Sequence, residues 1–162
     1  MNAAKFVRMT VICVACVVVA AGGPAALAKE PLPTPADVPM MGEMDAYLLG
    51  SLYKSKDVDA GLASIAGTPE FQAMVKKYDL KLFGGPMLGC VTDHSARFWV
   101  RTPGAAEVQT IVSASKDLSD PIKSQAVKTG AAADFTALMD VAGLKPWTTY
   151  YYDVLVDGVS AC

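Results

Sequence analysis

The chain has 162 residues, enough for one ordinary domain with additions, and its 52% apolar content excludes a globally disordered polypeptide. Its 14 Lys and Arg against 16 Asp and Glu give a formal charge of −2. No basic excess is present to mark a nucleic-acid partner.

The N-terminus reads as a targeting segment. Lys5 and Arg8 make a basic start, and Met9 to Ala21 is almost continuously apolar. Gly22 to Pro24 breaks the run, and Ala26-Leu27-Ala28 is an A-x-A cleavage pattern. Residues 1–28 are therefore read as a secretory signal peptide, and the mature protein as periplasmic or extracellular. A membrane anchor is the alternative, but the run falls short of the roughly 20 residues that a span prefers. No stable span is expected after cleavage. Loss of Lys5 and Arg8 leaves 12 basic residues against 16 acidic, a formal charge of −4. Cys13 and Cys16 leave with the signal. Cys90 and Cys162 remain in a compartment that permits disulfides. They are open to pairing with each other, and Cys162 also to pairing beyond this chain.

Residues 29–39 (KEPLPTPADVP) hold four prolines in eleven positions and read as a semi-rigid linker. Residues 40–83 read as a helical prefix. Met41, Met44, Leu48 and Leu52 recur at helical steps, and Val58, Leu62 and Ile65 repeat them. Thr68 is then a good N-cap, Pro69 suits the first helical position, and Glu70 sits where the helix dipole favours an anion. Phe71, Met74, Val75 and Tyr78 share one face. That face packs on the following domain or binds a partner.

At Gly84-Gly85-Pro86 the period changes to two. Turn signals recur every 8–12 residues or so, the pattern of a β-sandwich over residues 84–162. Strands are expected at Met87 to Val91, Ala96 to Thr102, Val108 to Ala114, and, as a short edge, Ser124 to Lys128. Two more follow, with Phe135, Ala137, Met139 and Val141 on one face, and Tyr150, Tyr152, Val154 and Val156 on one face. Phe98 and Trp99 point to opposite sides, so one of them is exposed or covered by the helical prefix. Between the last two strands, Leu144, Pro146, Thr148 and Tyr150 alternate. The stretch resembles the tyrosine corner of immunoglobulin-like and fibronectin type III sandwiches, in which a Tyr hydroxyl bonds back to the preceding corner. Tyr150 would be that tyrosine and Leu144 the core plug. The fold class is mainly β: a sandwich of about six strands, the last missing or cut short, after a short helical segment. The outer side of the Tyr150 to Val156 strand is then expected to be an open edge, unless a segment of residues 29–83 covers it.

Catalytic patterns are absent. The one histidine, His94, lies in a Thr-Asp-His-Ser turn and reads as a solvated turn residue or a lone ligand. There is no G-x-S-x-G elbow and no Gly-rich phosphate loop. Asp117, Asp120, Asp134, Asp153 and Asp157 show no paired spacing for acid–base work. Tyr150-Tyr151-Tyr152 is either a ligand platform or, by alternation, two core rings and one outward ring.

Two stretches carry a family resemblance. Gly89 to Arg101 (GCVTDHSARFWVR), with Asp93-His94-Ser95-Ala96 before Phe98-Trp99, is similar to the opening of the N-terminal domain of PhoD-like alkaline phosphatases. Asp134 to Gly158, with its Gly-Leu-x-Pro corner, Tyr-rich strand and Asp-Gly hairpin, is similar to the end of that domain. The resemblance covers roughly residues 84–158. It implies an accessory sandwich ahead of a metallophosphatase domain, which would be its partner and would hold iron and calcium. No catalytic or metal residue carries over. Tyr150, Leu144, Pro146 and Trp99 carry over as structural positions only. Purple acid phosphatases have a related sandwich, and a self-standing secreted binding or adhesion module is the reading from another class.

Overall fold

The computed structural model describes residues 7–10, 39–53, 56–57 and 59–161. The elements in order are β1 (Val7–Thr10), α1 (Pro39–Leu48) running into a π-helical stretch (Leu49–Tyr53), α2 (Leu62–Ile65), α3 (Pro69–Lys77), β2 (Gly84–Gly89), β3 (Ser95–Arg101), β4 (Glu107–Ser113), β5 (Ile122–Lys123), β6 (Val127–Lys128), a 3-10 turn (Ala131–Ala133), β7 (Thr136–Ala142), β8 (Thr149–Val156) and β9 (Val159–Ser160). They fall into two compact units. One comprises residues 14–56, whose described part is α1 and its extension, with Met44 buried. The other comprises residues 1–13 and 57–162 and contains the sandwich. Most of the expected signal peptide, the Pro-rich linker up to Val38, Val58 and Cys162 lie outside the described residues. No described helix is long and apolar enough to cross a membrane.

Two antiparallel sheets form the sandwich. The smaller has the order β2-β3-β7, and the larger β1-β8-β4-β5, with β6 also on β4 and β9 also on β8. Period-2 alternation decides what each sheet buries. On β3, Ala96, Phe98 and Val100 are buried, and on β7 Ala137, Met139 and Val141. On the facing sheet β4 turns Val108, Thr110 and Val112 inward, and β8 turns Tyr150, Tyr152, Val154 and Val156 inward. The two layers interdigitate through these rows, as sheet-on-sheet packing requires. Phe98 and Tyr152 meet across the core with ring centroids 4.9 Å apart at 56°. Thr110 stays satisfied inside the core by donating its hydroxyl to Met139 Sδ at 3.4 Å.

Helices α2 and α3 belong to the same unit as the sandwich. Thr68 caps α3, its Oγ1 accepting from the Phe71 N–H at 3.4 Å, with Pro69 in the first turn. Lys76 and Lys77 sit in the last turn, where the helix dipole favours cations. Phe71 is fully buried and meets the Phe83 ring edge-on at 5.7 Å, so the apolar face of α3 packs on its own domain. A second tie runs through Asp134. Its carboxylate accepts from the Ala63 N–H in the first turn of α2 at 2.7 Å and pairs with the Arg101 guanidinium.

Two expectations are revised. The edge strand expected at Ser124 to Lys128 is instead two dipeptide strands, β5 and β6, on either side of Ser124. Ser124 is buried and replaces the ladder with its side chain, its Oγ accepting from the Thr110 N–H at 3.0 Å while its own N–H donates to the Thr110 carbonyl at 2.9 Å. The outer side of β8 is not left open, and among the described residues the strands that pair along it come from outside residues 29–83. β1 pairs with Thr149 to Tyr152 and β9 with Leu155 and Val156.

Candidate functional site

The two stretches singled out in the sequence meet along the smaller sheet and at one end of it. β3 and β7 pair over their whole lengths, from Ser95 opposite Ala142 to Arg101 opposite Thr136. At the end of that ladder the β2–β3 turn is held by Thr92, whose Oγ1 accepts from the N–H groups of His94 at 3.2 Å and Ser95 at 2.9 Å. The Leu144 N–H donates to the His94 carbonyl at 2.9 Å, tying this turn to the corner. The His94 ring is exposed. Its Nε2 lies 3.2 Å from the Asp93 carboxylate, and its Nδ1 lies 3.4 Å from the Leu144 carbonyl. His94 is thus a turn residue whose backbone does the joining.

The corner has a definite geometry. The Tyr150 hydroxyl accepts from the Lys145 N–H at 2.8 Å, five residues back. Leu144 is buried against the core, and Tyr150 is buried behind it. Pro146 is exposed, and its carbonyl accepts from the Thr148 hydroxyl at 3.1 Å. Trp147 adopts φ of 57°, a left-handed backbone rarely taken by a bulky residue, and is 73% exposed.

The outer face of the smaller sheet holds the other feature. Phe98 points inward with no exposure, so Trp99 points outward. By register Met87, Trp99 and Leu138 stand in one row across β2, β3 and β7. Met87 is 58% exposed and Leu138 56%. Trp99 is half-covered because Gly84 lies beneath its ring; a Cβ there would stand 3.3 Å from Cζ3. Gly85 takes φ of +85°, and a Cβ on it would meet the Trp99 carbonyl oxygen at 2.6 Å, so glycine alone fits. In the next row Arg97 forks onto Asp140 with bonds of 2.6 and 2.9 Å. The sequence placed Leu138 on the polar face of its strand, yet the row needs the strand pairing to be seen. Asp134 was equally hidden, since its partner Ala63 is 71 residues away.

Hydrogen bonding to Arg97 holds the Asp140 carboxyl below the usual carboxylate range, and the same bond raises Arg97. A carboxyl depressed on folding contributes stability above its ordinary value of 3.8 and loses it as the pH falls through the lower folded value. Asp140→Asn is therefore expected to be slightly less stable than the parent chain at neutral pH. The gap should close below about pH 4 in urea titrations. A gap that persists or widens in acid would show that the pair is not its source.

Among the described residues no three His, Cys, Asp or Glu side chains gather where they could hold a metal ion. Iron or calcium therefore finds no fitting donor set there. Cys90 is exposed with a free thiol, and its candidate disulfide partner Cys162 lies outside the described residues. What the geometry offers is surface: an apolar row with a balanced ion pair beside it, and a rigid corner presenting a tryptophan.

A family model described as a domain of unknown function, DUF7800, matches residues 79–162. The chain belongs to that family. The DUF7800 domain begins at Asp79, just past α3, and takes in β2 to β9, the corner and the apolar row. No curated protein matches the chain. The chain is similar to a solved structure of PhoD, with a TM-score of 0.41 and 17% identity, over 46% of this chain and 16% of that one. It thus spans far less than two thirds of that protein.

Proposed function

We propose that the DUF7800 sandwich is a non-catalytic N-terminal accessory domain of an exported PhoD-like alkaline phosphatase or phosphodiesterase. Hydrolysis belongs to an iron- and calcium-bearing metallophosphatase domain outside this chain. One observation carries the reading. The two stretches that resemble the family, Gly89 to Arg101 and Asp134 to Gly158, form one joined unit through the β3–β7 ladder and the Leu144-to-His94 hydrogen bond. A resemblance scattered over unconnected surfaces would mean little; here both halves build the same sheet and the same corner. The row of Met87, Trp99 and Leu138 supplies a face on which the catalytic domain rests. The sandwich would then shape the approach to the metal site without touching the chemistry.

Purified chain supplied with iron and calcium is expected to give no turnover of a chromogenic phosphoester. Metal-dependent turnover by this chain would overturn the assignment of catalysis to another domain. Genomic sequence downstream of Cys162 is expected to encode Gly-Asp and Asn-His-Glu metal motifs. Their absence in every frame would defeat the accessory-domain reading.

A further inference from the structure

We propose that the edge of β8 over Thr149 to Tyr152 is a strand-acceptor site, filled in this chain by Val7–Thr10 and built to receive the strand that runs on from β9. The inference rests on the reading of a longer parent chain.

A sheet edge offers a row of backbone donors and acceptors that another strand completes. β8 has β4 along one side. On its other side two short strands stand end to end. β9 pairs Val159 with Val156 and Ser160 with Leu155, and the ladder continues where the Ala161 N–H donates to the Val154 carbonyl at 2.9 Å. β1 takes the next stretch, with Val7 opposite Tyr152, Arg8 opposite Tyr151, Met9 opposite Tyr150 and Thr10 opposite Thr149. Both run antiparallel to β8, so they run the same way as each other. Each step forward along β9 is one step back along β8. The first position past Cys162 therefore falls opposite Tyr152, and the fourth opposite Thr149. Those are the four residues that β1 covers. One slot thus has two claimants, a segment read as part of the leader and the continuation of the β8–β9 hairpin.

The slot also specifies its occupant. Directly opposed residues of an antiparallel pair share a face. Tyr152 and Tyr150 are buried, whereas Tyr151 and Thr149 are partly exposed. An occupant needs an apolar residue at its first and third positions and polar ones at its second and fourth. Val7-Arg8-Met9-Thr10 has that order. Val159 and Ala161 stand in the same phase on β9, so an uninterrupted strand carries it forward. The intended occupant is tethered by a tight turn at Asp157-Gly158, which gives it a high local concentration. Removal of residues 1–28 would clear the slot for it.

The test compares full chains made in a membrane-free translation system, so that residues 1–28 are kept. One is unextended. One carries Val-Thr-Val-Thr after Cys162, and one carries the phase-shifted Thr-Val-Thr-Val. Amide hydrogen exchange is read at residues 7–10 and 149–152, with near-ultraviolet circular dichroism to verify folding. In the unextended chain both segments are expected to be protected. The in-phase extension should keep 149–152 protected and speed exchange at 7–10 by about tenfold or more. The phase-shifted one should do so far less. Unchanged protection at 7–10 with the in-phase extension would overturn the proposal, as would dimerisation of that chain, which would mean its edge stays open to a second copy. These readouts do not involve phosphatase chemistry. A parent without metal motifs would defeat the accessory-domain reading while leaving the exchange result standing.

Discussion

Phe98→Ala is expected to lower the unfolding free energy by about 3–5 kcal/mol, much of the 5–15 kcal/mol that a small domain holds. The side chain has no exposure and sits where the two sheets face each other, its ring tilted against that of Tyr152. Removing it takes away the transfer energy of a large aromatic and the ring–ring contact, and leaves a void lined by strands that cannot collapse inward. Trp99, its neighbour, is larger, yet Trp99→Ala should cost clearly less, because that ring lies on the outer face of the sheet and is only partly buried. The comparison is demanding because composition alone favours the opposite order. Urea unfolding of both variants decides it. A larger loss from Trp99→Ala would mean that β3 turns its other face to the core. Phe98→Leu, which retains most of the volume, should recover more than half of the deficit.

Much of this architecture was legible in the sequence because local rules and tertiary demand agreed. Thr68-Pro69-Glu70 begins a helix in the sequence and in the fold, with the cap bond made. Ala137, Met139 and Val141 alternate because one side of β7 must be buried, and all three are, as is Phe135 just before the strand. What stayed hidden depended on partners distant in sequence or on side chains standing in for backbone. Ser124 looks like an ordinary edge-strand residue until its hydroxyl is seen to take the Thr110 N–H. Asp153 falls on the outward face of β8 by alternation but is nearly buried, its carboxylate accepting from the Val154 N–H at 2.7 Å. The outward row of Met87, Trp99 and Leu138 exists only once β2, β3 and β7 are in register. A surface of that kind cannot be read from any one strand. This is why the core was easier to foresee than the face on which a partner would rest.

The corner at Leu144 to Tyr150 makes the second large prediction. Leu144→Ala is expected to cost about 2–5 kcal/mol as a buried truncation. Tyr150→Phe is expected to cost about 1–3 kcal/mol while hardly changing volume, because the Lys145 N–H then loses the hydroxyl that accepts from it at 2.8 Å. The two changes act on one rigid loop, so their losses should not add; a coupling of about 0.5–3 kcal/mol is expected in a double-mutant cycle. Strict additivity, or a Tyr150→Phe variant as stable as its parent, would mean that the hydroxyl does not brace the corner. A structural brace also has a local signature. The chain has two tryptophans, so in a Trp99→Phe background the emission of Trp147 alone reports on the corner. Trp147 sits between the bonded Lys145 and Tyr150, in a left-handed conformation that a bulky residue does not hold without support. Loss of the hydroxyl should release that strain and make Trp147 more mobile, lowering its fluorescence anisotropy well below the melting transition. The same release would slacken the bond from Leu144 to His94, so the β2–β3 turn should gain amide exchange along with the corner. If the turn stays protected while the corner loosens, the two stretches on which the proposed function rests are mechanically separate, and their resemblance would have to be weighed as two weak signals instead of one joined unit.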